Sequence, residues 1–285
     1  MIKRNKIKLG ILILGIAVMG LTACGNTADK LPDLSSLGKV TAISREEGSG
    51  TKSEFETILD TSEAGAKVVA ISSQDVQEQV AKDVNALGYV AYSSIMTENG
   101  TDGVKTIKVD GKELTAENIR KEKYPLCRNY YLAYKGELSA LQQDFLSYVM
   151  SAGQKIAEKN CVSVKKTSTF LSDKSSGEIV IMGSTSAASL IEEMAKDYAV
   201  YNPNAKIKMI SSDSSQGLTS AIRGECDFAV SSRNLKDYES ELLTSKAFAR
   251  DGIAIVVNKE NPADNLSMKQ IKKLYDGECK EWGKL

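Results

Sequence analysis

Short runs of strand type alternate along this chain with segments of helical period, and three of the junctions before a helical segment are built from glycine and hydroxyl residues. Alternation of this kind restricts a chain to layered α/β architecture, because each strand buries its faces under the helices that connect it to the next. The strand-like runs fall at 40–44, 88–94, 179–183, 206–211, 227–231 and 252–258. Helical period is clearest over 186–199, where Leu190, Ile191, Met194, Ala195 and Tyr198 recur at three- and four-residue steps until Asn202-Pro203 stops them. A second stripe through Leu141, Phe145, Leu146, Val149 and Ile156 predicts one long helix over 138–158, and Ser267 caps a third through Ile271 and Leu274. The stretch 165–177, rich in Lys, Ser and Thr and without apolar period, reads as a linker.

The junctions are Gly48-Ser49-Gly50-Thr51, Gly183-Ser184-Thr185-Ser186 and Ser214-Ser215-Gln216-Gly217. A helix N-terminus leaves backbone N–H groups unpaired and carries about half a positive charge, so three of them converging form a cradle for a small oxyanion without any lysine. Taken singly, each cluster is equally an ordinary N-cap or loop. The chain contains no histidine. Serine-histidine triads and histidine general bases are thereby excluded, along with most zinc sites. The first cluster lacks the lysine that a P-loop needs directly after its last glycine, and no GxSxG elbow is present. No catalytic residue, metal site or cofactor is expected, and binding is favoured over catalysis.

Lys3, Arg4, Lys6 and Lys8 precede an apolar run over 9–21 that ends in Leu21-Thr22-Ala23-Cys24. Too short for a stable span and followed by a small residue and a cysteine, it reads as a secretory signal over 1–23 with lipid attachment at Cys24. Polar residues 24–37 then form a tether, which places the protein at the extracytoplasmic face of a cell membrane. Removal of 1–23 takes four of the 37 basic side chains and none of the 37 acidic ones, leaving 33 against 37 and a net charge of −4. No nucleic-acid partner is expected. Roughly 260 remaining residues suit two α/β lobes better than one core. Four further cysteines, Cys127, Cys161, Cys226 and Cys279, match no metal spacing and permit either disulfides or free buried thiols.

The segments Ser44-Arg45-Glu46-Glu47-Gly48-Ser49-Gly50-Thr51, Gly183-Ser184-Thr185-Ser186 and Ser231-Ser232-Arg233-Asn234-Leu235 resemble the ligand loops of the phosphate-binding proteins of ABC phosphate importers. Leu87-Gly88-Tyr89-Val90, Val109-Asp110-Gly111, Tyr124-Pro125-Leu126, Asp251-Gly252-Ile253-Ala254 and Val257-Asn258-Lys259 are similar to further family segments. The resemblance implies a two-lobe periplasmic-binding-protein fold of type II character, α/β in each lobe, with the ligand in the cleft between them. The order departs from the family's: the Arg-Glu-Glu-Gly-Ser-Gly-Thr half comes first here, and Trp282 lies three residues from the C-terminus. A circularly permuted order follows, with the end at Leu285 beside Gly38-Lys39-Val40 and 165–177 joining the usual termini. Residues 38–100 plus 256–285 would form one lobe and 101–255 the other, in a monomer or, by exchange of 38–100, a swapped dimer.

The same resemblance implies a lipoprotein that captures inorganic phosphate and delivers it to ABC permease subunits. Arg45, Ser49, Gly50 and Thr51 would hold the anion from one lobe, and Thr185, Ser186, Ser214 and Ser232 from the other. Arg45 suits that role by its forked donors. Some members carry an aspartate where Ser232 stands, an acceptor for a phosphate proton. Its absence leaves sulfate, molybdate or another tetrahedral oxyanion as alternatives, with Glu46, Glu47 and Asp213 as spare acceptors and Arg233 open between ligand contact and a carboxylate across the cleft. An adhesion or interaction protein on the same fold is the other alternative.

Overall fold

Burial of the β-branched and aromatic residues in the strand-like runs assembles one ten-stranded mixed sheet and a separate two-stranded one. The computed structural model describes residues 32–96 and 102–285. Cys24, the signal segment and the first part of the tether lie outside the described residues. The strands are β1 (Thr41–Arg45), β2 (Val68–Ala70), β3 (Ala86–Ala91), β4 (Val104–Thr106), β5 (Lys108–Val109), β6 (Cys127–Tyr134), β7 (Val162–Ser163), β8 (Gly177–Ser184), β9 (Ala205–Ser212), β10 (Phe228–Ser231), β11 (Thr244–Asn258) and β12 (Asn265–Leu266). The main sheet runs β2-β1-β3-β11-β6-β10-β8-β9, with β4 and β7 added onto β11, while β5 pairs with β12.

β11 belongs to both lobes. Its 244–252 half lies antiparallel to β6, and its 253–257 part lies antiparallel to β3. On one side, parallel β2, β1 and β3 are covered by α1 (Gly50–Leu59) and α2 (Ser73–Lys82). On the other, parallel β9, β8 and β10 carry α7 (Thr185–Tyr201) and α8 (Ser214–Arg223). Each lobe has its own core. Phe55, Tyr89 and Tyr275 stack in the first, with the Phe55 and Tyr89 rings 4.0 Å apart, while Phe145, Tyr148, Tyr198 and Phe228 fill the second. Ile107, Val109, Tyr124 and Leu126 pack in the first core although the sequence placed 101–255 in the second lobe, because β4 and β5 pair with β11 and β12 there.

The C-terminal segment packs on the start of β1. Val40 N–H donates to Lys280 O at 2.9 Å, Trp282 N–H to Gly38 O at 3.2 Å, and the fully buried Trp282 indole donates to Asn85 O at 3.0 Å. Truncating a side chain so placed costs about 3–5 kcal/mol.

Three expectations are corrected. The 138–158 helix is two, α5 (Ala140–Val149) and α6 (Gln154–Asn160): buried Gln154 interrupts the ladder by donating to Val149 O and Phe248 O while accepting from Val164 and Lys165. The 88–94 run leaves the strand at Ala91 and turns into a single helical turn, α3 (Tyr92–Ile95), with another short helix, α4 (Ala116–Arg120), following β5. The 165–177 linker is anchored, with Phe170 packed edge-on to Tyr148 at 5.6 Å and Ser172 donating to Asp144 at 2.7 Å. All four described cysteines are free thiols.

Candidate functional site

Three helix N-termini open where β1, β8 and β9 end. Ser49 caps α1, accepting from Lys52 N–H at 3.4 Å, and Asp213 caps α8, accepting from Gln216 N–H at 2.7 Å. The residue before α7 behaves differently: Ser184 makes no side-chain cap and donates its hydroxyl to Ser232 Oγ at 2.8 Å, so the first amides of α7 stay uncapped. Gly183 must be glycine, with φ +135° and a Cβ that would fall 2.2 Å from Val230 O.

The two lobes are shut against each other, and seven of the eight residues expected at the site meet there, while Ser49 is held as the cap of α1. Thr51 Oγ1 lies 2.9 Å from Ser186 Oγ across the cleft, and Arg45 Nη2 donates to Thr185 Oγ1 at 3.3 Å. Ser232 N–H donates to Ser214 Oγ at 3.1 Å, and the two hydroxyls are 3.3 Å apart. Gly50, the first residue of α1, faces both: a Cβ there would lie 2.3 Å from Ser214 Oγ and 2.5 Å from Ser232 Oγ. Thr51, Ser214 and Ser232 have no solvent exposure at all.

The arginine is used differently from the forked grip expected of it. Nε and Nη2 of Arg45 fork onto Glu46, at 2.7 and 2.8 Å, so only its terminal edge, near Ser73 and Thr185, is turned toward the cleft. Both Glu46 carboxylate oxygens thus already accept from Arg45. Glu47 pairs with Lys52 at 3.0 Å, and Asp213 caps α8 through Oδ1. Arg233 pairs with a carboxylate of its own lobe, Glu239, at 2.7 and 2.8 Å, instead of one across the cleft. The cross-cleft link at this point comes from Asn234, whose N–H and side-chain amide donate to Glu54 at 3.3 and 3.1 Å.

Sequence reasoning missed Arg128. It is fully buried on β6, donates from Nε and Nη2 to Asp251 Oδ2 at 3.0 and 2.9 Å, and from Nη1 to Thr51 Oγ1 at 2.7 Å. Tyr130 OH donates to Asp251 at 2.8 Å, and Ser93 N–H to the other carboxylate oxygen at 3.0 Å. Burial, reinforced by Asp251, holds Tyr130 neutral far above its ordinary range. The signal available was Asp251 in its Asp-Gly-Ile-Ala segment. Its partner lies 123 residues away on a run not read as a strand.

Beneath the cleft, Glu63 is buried against the end of β1. It bonds Ser44 Oγ, sits 3.8 Å from Lys52 Nζ, and leaves Oε1 without a partner among the described residues. Burial pushes its carboxyl up to about 7, against the pull of Ser44, Tyr89 and Lys52. Its Ser44 neighbour also donates to Arg45 O, at 3.3 Å, and Tyr89 OH accepts from Arg45 N–H at 3.1 Å, so the group lies directly under the site arginine.

The arrangement supplies helix termini, hydroxyl groups and two arginines balanced by Glu46 and Asp251, which fits capture of a small anion by geometry. Comparison with known proteins agrees in kind. The family described as PBP superfamily domain matches residues 28–152 and 168–284. "Phosphate-binding protein PstS 2" of Streptococcus pneumoniae serotype 4 is 33% identical over 276 residues, 92% of each chain. The protein of the same name from Streptococcus agalactiae serotype V is 34% identical over 268 residues, 88% of this chain and 89% of the relative. A solved structure, the phosphate-binding protein of a phosphate ABC transporter from Streptococcus pneumoniae TIGR4, superposes with a TM-score of 0.71 at 33% identity, covering 87% of this chain and 99% of that one. No helix among the described residues is long and apolar enough to cross a membrane.

Proposed function

The chain belongs to the PBP superfamily and, within it, to the phosphate-binding proteins of ABC importers, and from that premise we propose that it captures inorganic phosphate and hands it to the permease subunits of such an importer. The observation that carries this reading is the meeting of the α1, α7 and α8 N-termini with Arg45 in a shut, water-excluding cleft. Arg45, Ser49, Gly50 and Thr51 from one lobe and Thr185, Ser186, Ser214 and Ser232 from the other are the proposed ligand residues. The protein catalyses no reaction in this reading. The anion stabilises the shut form by its differential affinity for it, and the permease recognises that form.

Lipid attachment at Cys24 holds the protein at the extracytoplasmic face, and the chain works as a monomer. A circularly permuted segment order belongs to the same proposal. Its support is the contact of Lys280 and Trp282 with Gly38 and Val40, which leaves little to bridge between the end of the chain and β1. Calorimetric titration with phosphate tests the function: saturable binding is expected, reduced about 10- to 150-fold in Arg45→Ala, since a hydrogen bond to a charged group is worth about 1.5–3 kcal/mol. A folded protein whose heat is indifferent to phosphate would favour an adhesion role on the same fold.

A further inference from the structure

A groove of about 540 Å³ lies at the end of the first lobe away from the cleft, and Lys273, Lys280 and Lys284 line it together with Glu278 and Glu281. A second, of about 350 Å³, meets it at Gly277 and Lys280 and adds Lys39, Lys67 and Asp276. Lys280 O accepts from Val40 N–H just before β1, and β1 runs from there to Arg45, so the lysines sit roughly 15 Å along the strand from the anion site. All five are exposed. Among the described residues Lys39, Lys67, Lys273 and Lys280 make no ion pair, whereas Glu281 is paired with Lys284 at 2.9 Å and Asp276 with Lys272 at 3.2 Å. The face is therefore net positive.

The chain enters the fold on the same face. Pro32, Asp33, Leu34 and Ser35 line a hollow with Gln270, Trp282 and Leu285, and Gln270 and Leu285 belong also to the larger groove. Leu34 and Leu37 pack on the core of the first lobe, which fixes where the tether leaves it. Eight peptide steps separate Cys24 from Pro32, and even at full extension they span at most about 30 Å. A lipid on Cys24 thus keeps the lysines within reach of the bilayer.

We propose that this face docks on an anionic phospholipid bilayer, with Lys39, Lys67, Lys273, Lys280 and Lys284 against the headgroup phosphates. The inference rests on the reading of Cys24 as the lipid-bearing residue and adds which face the anchor presents to the membrane. With a net charge of −4 after removal of 1–23, the chain has no general attraction to an anionic surface, so the attraction has to come from a concentrated patch. Anchor and patch reinforce each other, because the tether makes the second contact intramolecular. Each lysine close to such a surface multiplies partitioning about fivefold.

Residues 31–285 form one compact unit that holds both cores, so the chain from Gly25, bearing no lipid, isolates the face from the anchor. It is sedimented with vesicles of phosphatidylglycerol and of phosphatidylcholine at about 10 mM salt, where charges act over about 30 Å. Binding to phosphatidylglycerol alone is expected, lost at about 1 M salt, where that range falls to about 3 Å. Changing Lys273→Gln, Lys280→Gln and Lys284→Gln together is expected to weaken it about 100-fold, and the corresponding arginine variant to keep it. Phosphate titration of both variants, expected to match the parent, checks the fold. Absence of binding to phosphatidylglycerol, or equal binding by parent and glutamine variant, overturns the docking face. Retention by soluble polyglycerol phosphate with none by vesicles overturns the bilayer as its partner. In the lipid-bearing protein the same three lysines are expected to be shielded from an amine-reactive reagent on phosphatidylglycerol vesicles and open on phosphatidylcholine ones, and lysines open on both overturn the proposal for the anchored molecule. Release of that protein from phosphatidylcholine vesicles overturns the lipid reading of Cys24, a separate result.

Discussion

Replacing Glu63 with glutamine removes a carboxyl that the fold holds against its own ionisation. In the unfolded chain the group titrates near its ordinary value of 4.5, and in the fold at about 7. The folded state therefore binds the proton more tightly, so the parent loses stability as pH rises from about 4.5 through about 7 and stays at the lower level above. Each pH unit of separation is worth about 1.4 kcal/mol, which makes the full loss about 3 kcal/mol. Any fixed cost of the amide, such as an unpaired N–H where Oε1 now lacks a partner, is the same at every pH and cancels in a comparison. Denaturant unfolding of parent and Glu63→Gln at pH 5, 6, 7 and 8 should show the variant gaining about 2–3 kcal/mol on the parent between the two ends. Parallel curves would refute the reasoning and mean that Lys52, 3.8 Å away, keeps Glu63 ionised in the fold.

Gly50→Ala is expected to lower phosphate affinity at least about 100-fold with the unfolding midpoint little changed, because a Cβ 2.3 Å from Ser214 Oγ obstructs closure and neither core; calorimetry with a thermal melt checks both. Thiol titration of the denatured chain without reductant should count Cys127, Cys161, Cys226 and Cys279 all as free, with little reaction in the native state, where burial pushes the Cys127 and Cys226 thiols up to about 11; fewer free thiols would mean bridges. A chain re-joined from Leu285 to Gly38 by a short linker and opened within the exposed residues 165–169 should fold and bind phosphate with parental affinity, and failure to fold would count against the permuted reading.

The strand-to-helix junctions were legible because glycine and hydroxyl residues are local signals: each marks a cap or a close approach whatever the rest of the chain does. Gly50, Thr51 and Ser214 are thus marked as cradle candidates by local signal, whereas Ser232 is reached only through the resemblance to the family's ligand loops. Arg128 carries neither signal. On β6 the inward face reads Arg128, Tyr130, Leu132, and a buried charge at the head of that face breaks the apolar alternation that would have marked a strand. Gln154 hid the break between α5 and α6 in the same way, since its neighbours keep helical period on both sides. Arg233 stays open in the sequence between ligand contact and a carboxylate across the cleft; that it pairs with Glu239 of its own lobe depends on the loop's path, which no spacing encodes.

The backbone of β11 runs through both lobes and pairs in each of them. The hydrogen bonds of 244–252 are engaged with β6 and those of 253–257 with β3, so opening the cleft has to wind or unwind a strand already clamped on either side. Such a connection acts as a torsion bar. From this geometry, opening is expected to twist the few residues around Gly252, and closing to bring Ser232 back to face Gly50.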